Sequence, residues 1–206
     1  MPQAGWVKTI YHGLPAQLLT PQPVKPNYLA FLGRISPEKC VDRAIRIAER
    51  AGLPIKIAAK IDKVDRDYFE EQIKPLMSLP FVDFIGEIND AQKPEFLSGA
   101  IALLVSIDWP EPFGLTMIEA MACGTPVIAF NRGSVPEIIE DGLTGFIVED
   151  ETSAVGAVGQ LARLPRQRVR ARFEERFTAR RMATEYLAVY RSLPEQATPH
   201  LRSATD

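Results

Sequence analysis

The sequence predicts a doubly wound α/β domain built on a parallel sheet. Two observations carry that prediction. Short apolar runs of four to six residues recur along the chain: Tyr28–Gly33, Ile55–Ala59, Phe81–Ile85, Ile101–Val105, Val127–Phe130 and Gly145–Val148. Between them lie segments with helical character, and apolar strands alternating with helices imply a parallel sheet covered on both faces.

The elements follow in order. Residues 1–26 carry Pro2, Pro15, Pro21, Pro23 and Pro26, too many for a stable helix or central strand, so this stretch is expected to be a linker with one short strand near Val7–Tyr11. The run Tyr28–Gly33 opens the domain proper. Val41, Ala44, Ile45 and Ala48 then fall at i, i+3, i+4 and i+7, an amphipathic helix closed by Gly52 and Pro54. Further helices are expected near Asp65–Met77, Ala91–Ser98, Leu115–Cys123, Val135–Glu140 and Ser153–Leu164. The domain thus covers 27–165. Residues 166–193 read as a charged helix pair with Phe173, Phe177, Met182, Tyr186 and Tyr190 as its sticky side, and 194–206 as a disordered tail.

Composition narrows the function. With 206 residues, 46% hydrophobic and 24% charged, the chain can bury a core of its own. A net charge of -2 gives no electrostatic footprint for nucleic acid. The arginines at 163, 166, 168, 170 and 172 are interrupted by Glu174, Glu175 and Glu185, and are expected to form a solvated helical face. Cys40 and Cys123 have no metal-ligand or CxxC spacing and read as free thiols of a reducing, cytoplasmic protein. No apolar run approaches the ~20 residues of a membrane span, which leaves at most a peripheral membrane attachment. The chain has no GxGxxG after its first strand, no GxxxxGK[ST] and no GxSxG.

In such sheets ligands bind beyond the carboxyl ends of the strands. The most informative loop holds Glu111 and Glu119, eight positions apart. Glu119 sits among Met117, Ile118, Ala120, Met121 and Ala122, so it is expected to be buried and to need a partner, supplied by the protein or by a ligand. Pro110 and Pro112 hold the chain extended, and Gly114 permits a close backbone approach. The N–H groups of Gly114, Leu115 and Thr116 would then be the free donors of a helix start, suited to a diphosphate. Were residues 111–119 fully helical, the two carboxylates would lie ~12 Å apart along the axis, about the span of a nucleotide sugar from ribose to hexose.

The other loops are less decisive. Ser36 reads as an N-cap and Pro37 as a first helical residue, which puts Lys39 at the wrong end of a helix dipole unless a phosphate binds there with Arg34; the alternative is a surface pair with Glu38 or Glu49. Ser134-Val135-Pro136-Glu137 fits a capping box. Glu87 and Ile88 belong to an ordinary loop capped by Asn89 or Asp90 unless a base lies against it. His12, a lone histidine in a linker, is expected to be structural.

At these residues the chain resembles a known family. Glu111-Pro112-Phe113-Gly114 through Glu119 to Gly124-Thr125-Pro126 resembles the E-x7-E segment of the family 4 (group 1) retaining glycosyltransferases, which have the GT-B fold. Phe31-Leu32-Gly33-Arg34 with Lys39, Phe84-Ile85-Gly86, Gly133 to Glu137 and Asp141-Gly142-Leu143-Thr144-Gly145-Phe146 match in the same order, and residues 172–190 resemble the closing helices. The resemblance covers only the C-terminal half of a GT-B fold.

That resemblance implies a nucleoside-diphosphate sugar as substrate, with no metal cofactor. Arg34 and Lys39 would bind the diphosphate beside Gly33 and stabilise it as leaving group. Glu119 would hold the ribose hydroxyls, Glu111 with the backbone of Phe113, Gly114, Leu115 and Thr116 the sugar, and Glu87 and Ile88 the base. Glu111, Arg34 and Lys39 are the implied catalytic set. Transfer with retention would also need an N-terminal domain, in cis or in trans. A non-catalytic nucleotide-sugar-binding module or regulatory subunit is the competing expectation, since it would keep the same site. Another GT-B chemistry, such as an epimerase or phosphorylase, is disfavoured by the E-x7-E and its flanks.

Overall fold

The structure, a computed structural model, describes residues 6–193. Six parallel strands form one sheet: β1 (Tyr28–Arg34), β2 (Ile55–Lys60), β3 (Val82–Gly86), β4 (Ala100–Val105), β5 (Val127–Phe130) and β6 (Gly145–Val148), in the spatial order β3-β2-β1-β4-β5-β6. The chain therefore leaves β1 in one direction and returns at β4 to build the other, so the loops after β1 and β4 diverge and leave a crevice between them.

The helices are α1 (Val41–Ala51), α2 (Arg66–Tyr68), α3 (Lys74–Met77), α4 (Lys93–Ser98), α5 (Leu115–Ala122), α6 (Val135–Ile138), α7 (Glu151–Val158), α8 (Arg166–Arg176) and α9 (Ala179–Ser192). Val41, Ala44, Ile45 and Ala48 of α1 pack with Ala154 and Ala157 of α7 on one face of the sheet. Leu97, Met117, Ile118, Met121, Val169 and Phe173, from α4, α5 and α8, fill the other. The central strands are buried on both faces, which is why they read as unbroken apolar runs.

Several expectations are corrected. No strand forms near Val7–Tyr11; without a neighbouring strand its backbone has no ladder to join, and the isolated bridge of this part of the chain lies further on, Leu14 to Thr178. The helix expected over Asp65–Met77 is interrupted by a π turn at Phe69–Ile73. Pro75 lies just beyond it; it cannot donate to Glu71, and its ring crowds that carbonyl, so the turn widens. The segment expected as Ser153–Leu164 starts earlier, at Glu151, because Asp150 and Ser153 make a reciprocal capping box. The expected tail, 194–206, lies outside the described residues.

Of the five arginines expected to form a solvated face, Arg163 and Arg168 are exposed, but Arg166 and Arg170 are not solvated. Arg166 donates to the carbonyls of Ala100 at 2.7 Å and Ser98 at 3.0 Å, and Arg170 to those of Leu19 and Ala16, both at 2.7 Å. These guanidiniums hold backbone acceptors that strand ends and the proline-rich segment leave open. The sticky side divides: Phe173 and Phe177 are buried, whereas Tyr186, Leu187, Tyr190 and Leu193 are exposed.

Glu140 joins α8 to the loop after α6, accepting Arg172 in a two-pronged fork at 3.0 and 2.9 Å and Arg176 at 2.7 Å. Burial opposes its ionisation, but the two guanidiniums win and hold its carboxyl below the usual range. A depressed folded-state pKa stabilises the protein above the unfolded value, and that contribution is lost as pH falls through the folded one. Glu140→Gln is expected to lower the melting temperature at pH 7 by roughly 2–4 °C, about 1 kcal/mol. The gap from wild type should close as pH falls below the carboxylate range; a gap that is constant with pH would show that the charge contributes nothing.

Candidate functional site

Two adjoining cavities open where the carboxyl ends of β1 and β4 separate. The larger, about 270 Å³, is lined by Gly33, Arg34, Glu87, Ile88, Lys93 and Glu119 among others. The smaller, about 60 Å³, reaches Lys39, Ser106, Glu111 and Gly114. Leu32, Gly33 and Thr116 line both. Leu115 lies on the wall of the larger. Of the expected site residues, only Phe113 lines neither.

Phe113 turns toward the core instead. Its ring lies 6.2 Å from those of Tyr11 and Phe177, and 4.9 Å edge-on from the His12 imidazole. His12 is thus an exposed contact of this aromatic group.

The segment between the carboxylates is not one helix. α5 begins at Leu115, and Gly114 caps it with φ 80°, a left-handed conformation that glycine adopts without strain. The ~12 Å axial spacing argued from a continuous helix therefore does not apply. Glu111 is placed by a turn docked against residues 133–134: the Ser134 N–H donates to the Glu111 carbonyl at 2.9 Å. A Cβ on Gly133 would lie 2.4 Å from the Glu111 backbone, so only glycine allows this approach. That docking displaces the expected capping box. Ser134 takes φ -76° and ψ -5°, its hydroxyl caps nothing, and Glu137 accepts the Tyr11 hydroxyl at 2.9 Å. Among the described residues, the N–H groups of Gly114, Leu115 and Thr116 meet no acceptor.

Both carboxylates have protein partners. Lys39 Nζ donates to Glu111 Oε2 at 2.6 Å, and the Trp109 indole N–H to the same oxygen at 3.1 Å. Lys93 Nζ donates to Glu119 Oε1 at 2.8 Å and also meets Asp90 at 2.9 Å. The partner that Glu119 lacks in its own sequence neighbourhood thus comes from α4. Lys93 stands at the first position of that helix, where the dipole disfavours a cation, and the two acids offset this. Burial works to lower the Lys93 pKa, but Glu119 and Asp90 raise it overall.

Lys39 does not sit in the first turn of α1. Residues Pro37–Lys39 form a 3-10 turn, and Cys40 at φ 49° breaks it from the helix. The Ser106 hydroxyl, at the end of β4, donates to the Cys40 carbonyl at 2.8 Å and holds this turn over the smaller cavity. Arg34 is half exposed and loosely paired, 3.3 Å from Glu38 and 3.5 Å from Asp62. Asn89 caps its own loop, accepting from Ala91 and Gln92, with Glu87 exposed beside it.

Lys93 and Ser106 are site residues that sequence reasoning missed. A polar residue directly after the apolar run Ile101–Val105 is a signal for Ser106. Nothing local couples Lys93 to a carboxylate 26 positions away. Among the described residues, no group of three or more His, Cys, Asp or Glu could hold a metal ion, and no helix is long and apolar enough to cross a membrane.

The arrangement offers separate positive groups and free N–H donors between two carboxylates, which suits a ligand with an anionic centre and hydroxyl groups at either end. Comparison with known proteins points the same way. The profile of the family described as "Glycosyl transferases group 1" matches residues 20–179. The D-inositol 3-phosphate glycosyltransferase of Mycobacterium tuberculosis is 31% identical over 166 residues, 76% of this chain and 34% of that protein. The alpha-maltose-1-phosphate synthase of Mycolicibacterium smegmatis is 28% identical over 125 residues, 58% and 32% of the two chains. The chain spans about a third of the length of these curated relatives.

Among solved structures, Anabaena HepE in complex with UDP superposes with a TM-score of 0.80 at 22% identity, over 90% of this chain and 57% of HepE. Sucrose-phosphate synthase from Thermosynechococcus elongatus gives 0.77 at 25% identity, over 91% and 53%. The fold is the Rossmann-like, C-terminal half of a GT-B architecture.

Proposed function

Because this chain belongs to the group 1 glycosyl transferases, we propose that it is the half that binds the nucleotide-sugar donor and that it transfers sugar only together with a second, N-terminal domain. The observation that carries this reading is the pair of lysine-held carboxylates, Glu111 and Glu119, on two cavities that share Gly33 and Thr116.

In this reading the base rests on Ile88 and Glu87, and the ribose hydroxyls bond Glu119, whose orientation Lys93 fixes. The diphosphate lies across Gly33 and Thr116, met by the N–H groups of Gly114, Leu115 and Thr116, by Lys39 and by Arg34. The sugar enters the smaller cavity beside Glu111. Lys39 and Arg34 neutralise charge that develops on the leaving diphosphate, which favours departure from the anomeric carbon. No residue of this site is assigned as a nucleophile, and no metal is assigned to it. The exposed Tyr186, Leu187, Tyr190 and Leu193 of the last helix are a surface for the second domain.

Calorimetry with UDP-, GDP- and ADP-sugars tests binding: one of them is expected to give saturable heat, and no heat from any of them in a folded sample would refute the proposal. Robust transfer to an acceptor by this chain alone would refute the requirement for a second domain. A purely binding module predicts the same calorimetry but no transfer even when an N-terminal domain is supplied.

A further inference from the structure

Trp109 stands in the loop between β4 and α5, 38% exposed and outside both faces of the core. The loop is pinned on either side of it. The Asp108 N–H donates to the Glu38 carbonyl at 2.9 Å. The Asp108 carboxylate accepts Arg132 Nε at 3.2 Å and lies 3.8 Å from Arg43. Beyond Pro110, the Glu111 carbonyl takes the Ser134 N–H. A half-exposed ring held this firmly contributes little to the core, so what it touches matters more.

It touches the pair at the smaller cavity. The indole N–H donates to Glu111 Oε2 at 3.1 Å, and the ring centroid lies 5.7 Å from Lys39 Nζ. Lys39 donates to that same oxygen at 2.6 Å, while Glu111 Oε1 meets no donor among the described residues. The two donors differ in kind. Lys39 is a point charge on a flexible four-carbon stem and can follow an anion. The indole is rigid and neutral, and its nitrogen can only donate.

On the donor-site reading given above, a diphosphate draws Lys39 toward itself and leaves Glu111 with one donor. We infer that Trp109 is a positioning residue for the sugar. It keeps Glu111 Oε2 bonded when Lys39 turns to the phosphate, so that Oε1 stays set for a sugar hydroxyl. Being neutral, the indole holds the carboxylate without competing for the phosphate. Without its N–H, Glu111 follows Lys39 or turns to water. Trp109 therefore governs binding of the sugar and not of the diphosphate.

The test uses Trp6→Phe, which removes a fully exposed ring and leaves Trp109 as the single tryptophan of the chain. In that protein Trp109 is replaced by benzothienylalanine, whose sulfur stands in for the N–H and preserves the shape of the ring. Calorimetry compares UDP, GDP and ADP with their glucose, galactose and mannose esters. Affinity for the diphosphate that binds is expected to change by less than about twofold, and that for its sugar ester to fall about fivefold. The one indole N–H signal in proton NMR supplies a second readout. It should move in Glu111→Gln, and shift downfield on saturation with the diphosphate as the unshared bond tightens. No heat with any diphosphate would overturn the donor-site reading and this inference together. A diphosphate that binds while no ester shows the selective loss would overturn this inference alone. So would an indole signal unmoved by Glu111→Gln or by the bound diphosphate.

Discussion

Lys39→Ala is expected to weaken nucleoside diphosphate binding by about a hundredfold. A charge-assisted bond to a phosphate oxygen contributes about 1.5–3 kcal/mol, each 1.4 kcal/mol being tenfold in affinity. The substitution also strips Glu111 of its cation. Lys39 and Glu111 lie 2.6 Å apart, with side chains only 22% and 14% exposed, so an uncompensated carboxylate would remain beside the diphosphate. The same geometry predicts an effect of opposite sign. Glu111→Gln removes the acid that holds Lys39 in the free protein, and should strengthen binding of the plain diphosphate while weakening that of the sugar nucleotide. Calorimetry with both ligands reads the two effects. Binding by Lys39→Ala within twofold of wild type would remove this lysine from the site.

Arg170→Ala is expected to cost about 3 kcal/mol of stability, a fall of roughly 10 °C in melting temperature. This side chain bonds the carbonyls of Ala16, Leu19 and Ala122, tying the proline-rich segment and the end of α5 to α8. Its removal leaves three acceptors with no substitute donor. Arg170→Lys should recover only part of the loss, because one ammonium cannot reproduce the planar spread of a guanidinium. Thermal or denaturant unfolding measures both; a loss below about 0.5 kcal/mol for alanine would mean that water satisfies these carbonyls equally well.

Much of the fold was legible because its strongest signal is local. Ile55–Ala59 and Val127–Phe130 are buried on both faces, so strand burial appears directly as an apolar run. What failed depended on partners. Val7–Tyr11 has strand-like composition and no strand beside it. Ser134 has the right neighbours for a capping box, yet the approach of Gly133 to Glu111 sets its backbone elsewhere. Arg166 and Arg170 look solvated in sequence because the carbonyls they hold belong to distant residues.

The site divides along the same line. The carboxylates and Gly114 stand in one segment and could be picked out together. That Glu119 already has a cation, Lys93, could not be read from its apolar neighbours. In the proposed reading this changes the energetic question: a bound ribose would not rescue an unpartnered carboxylate but would share one already oriented. Glu119 Oε1 takes Lys93, and Oε2 has no protein donor among the described residues. If the proposed function holds, the second oxygen is the acceptor that a ligand hydroxyl would use.

The most direct test of Glu119 as the acceptor for the ribose hydroxyls is a cycle of four affinities. The nucleoside diphosphate that binds in calorimetry and its 2′,3′-dideoxy analogue are titrated into wild type and Glu119→Ala; Lys93 keeps Asp90 as a partner in the variant, which protects the fold. Loss of the ribose hydroxyls is expected to weaken binding to wild type about tenfold or more and to leave binding to Glu119→Ala unchanged. An equal loss in both proteins would contradict the account, since the ribose would then owe nothing to Glu119.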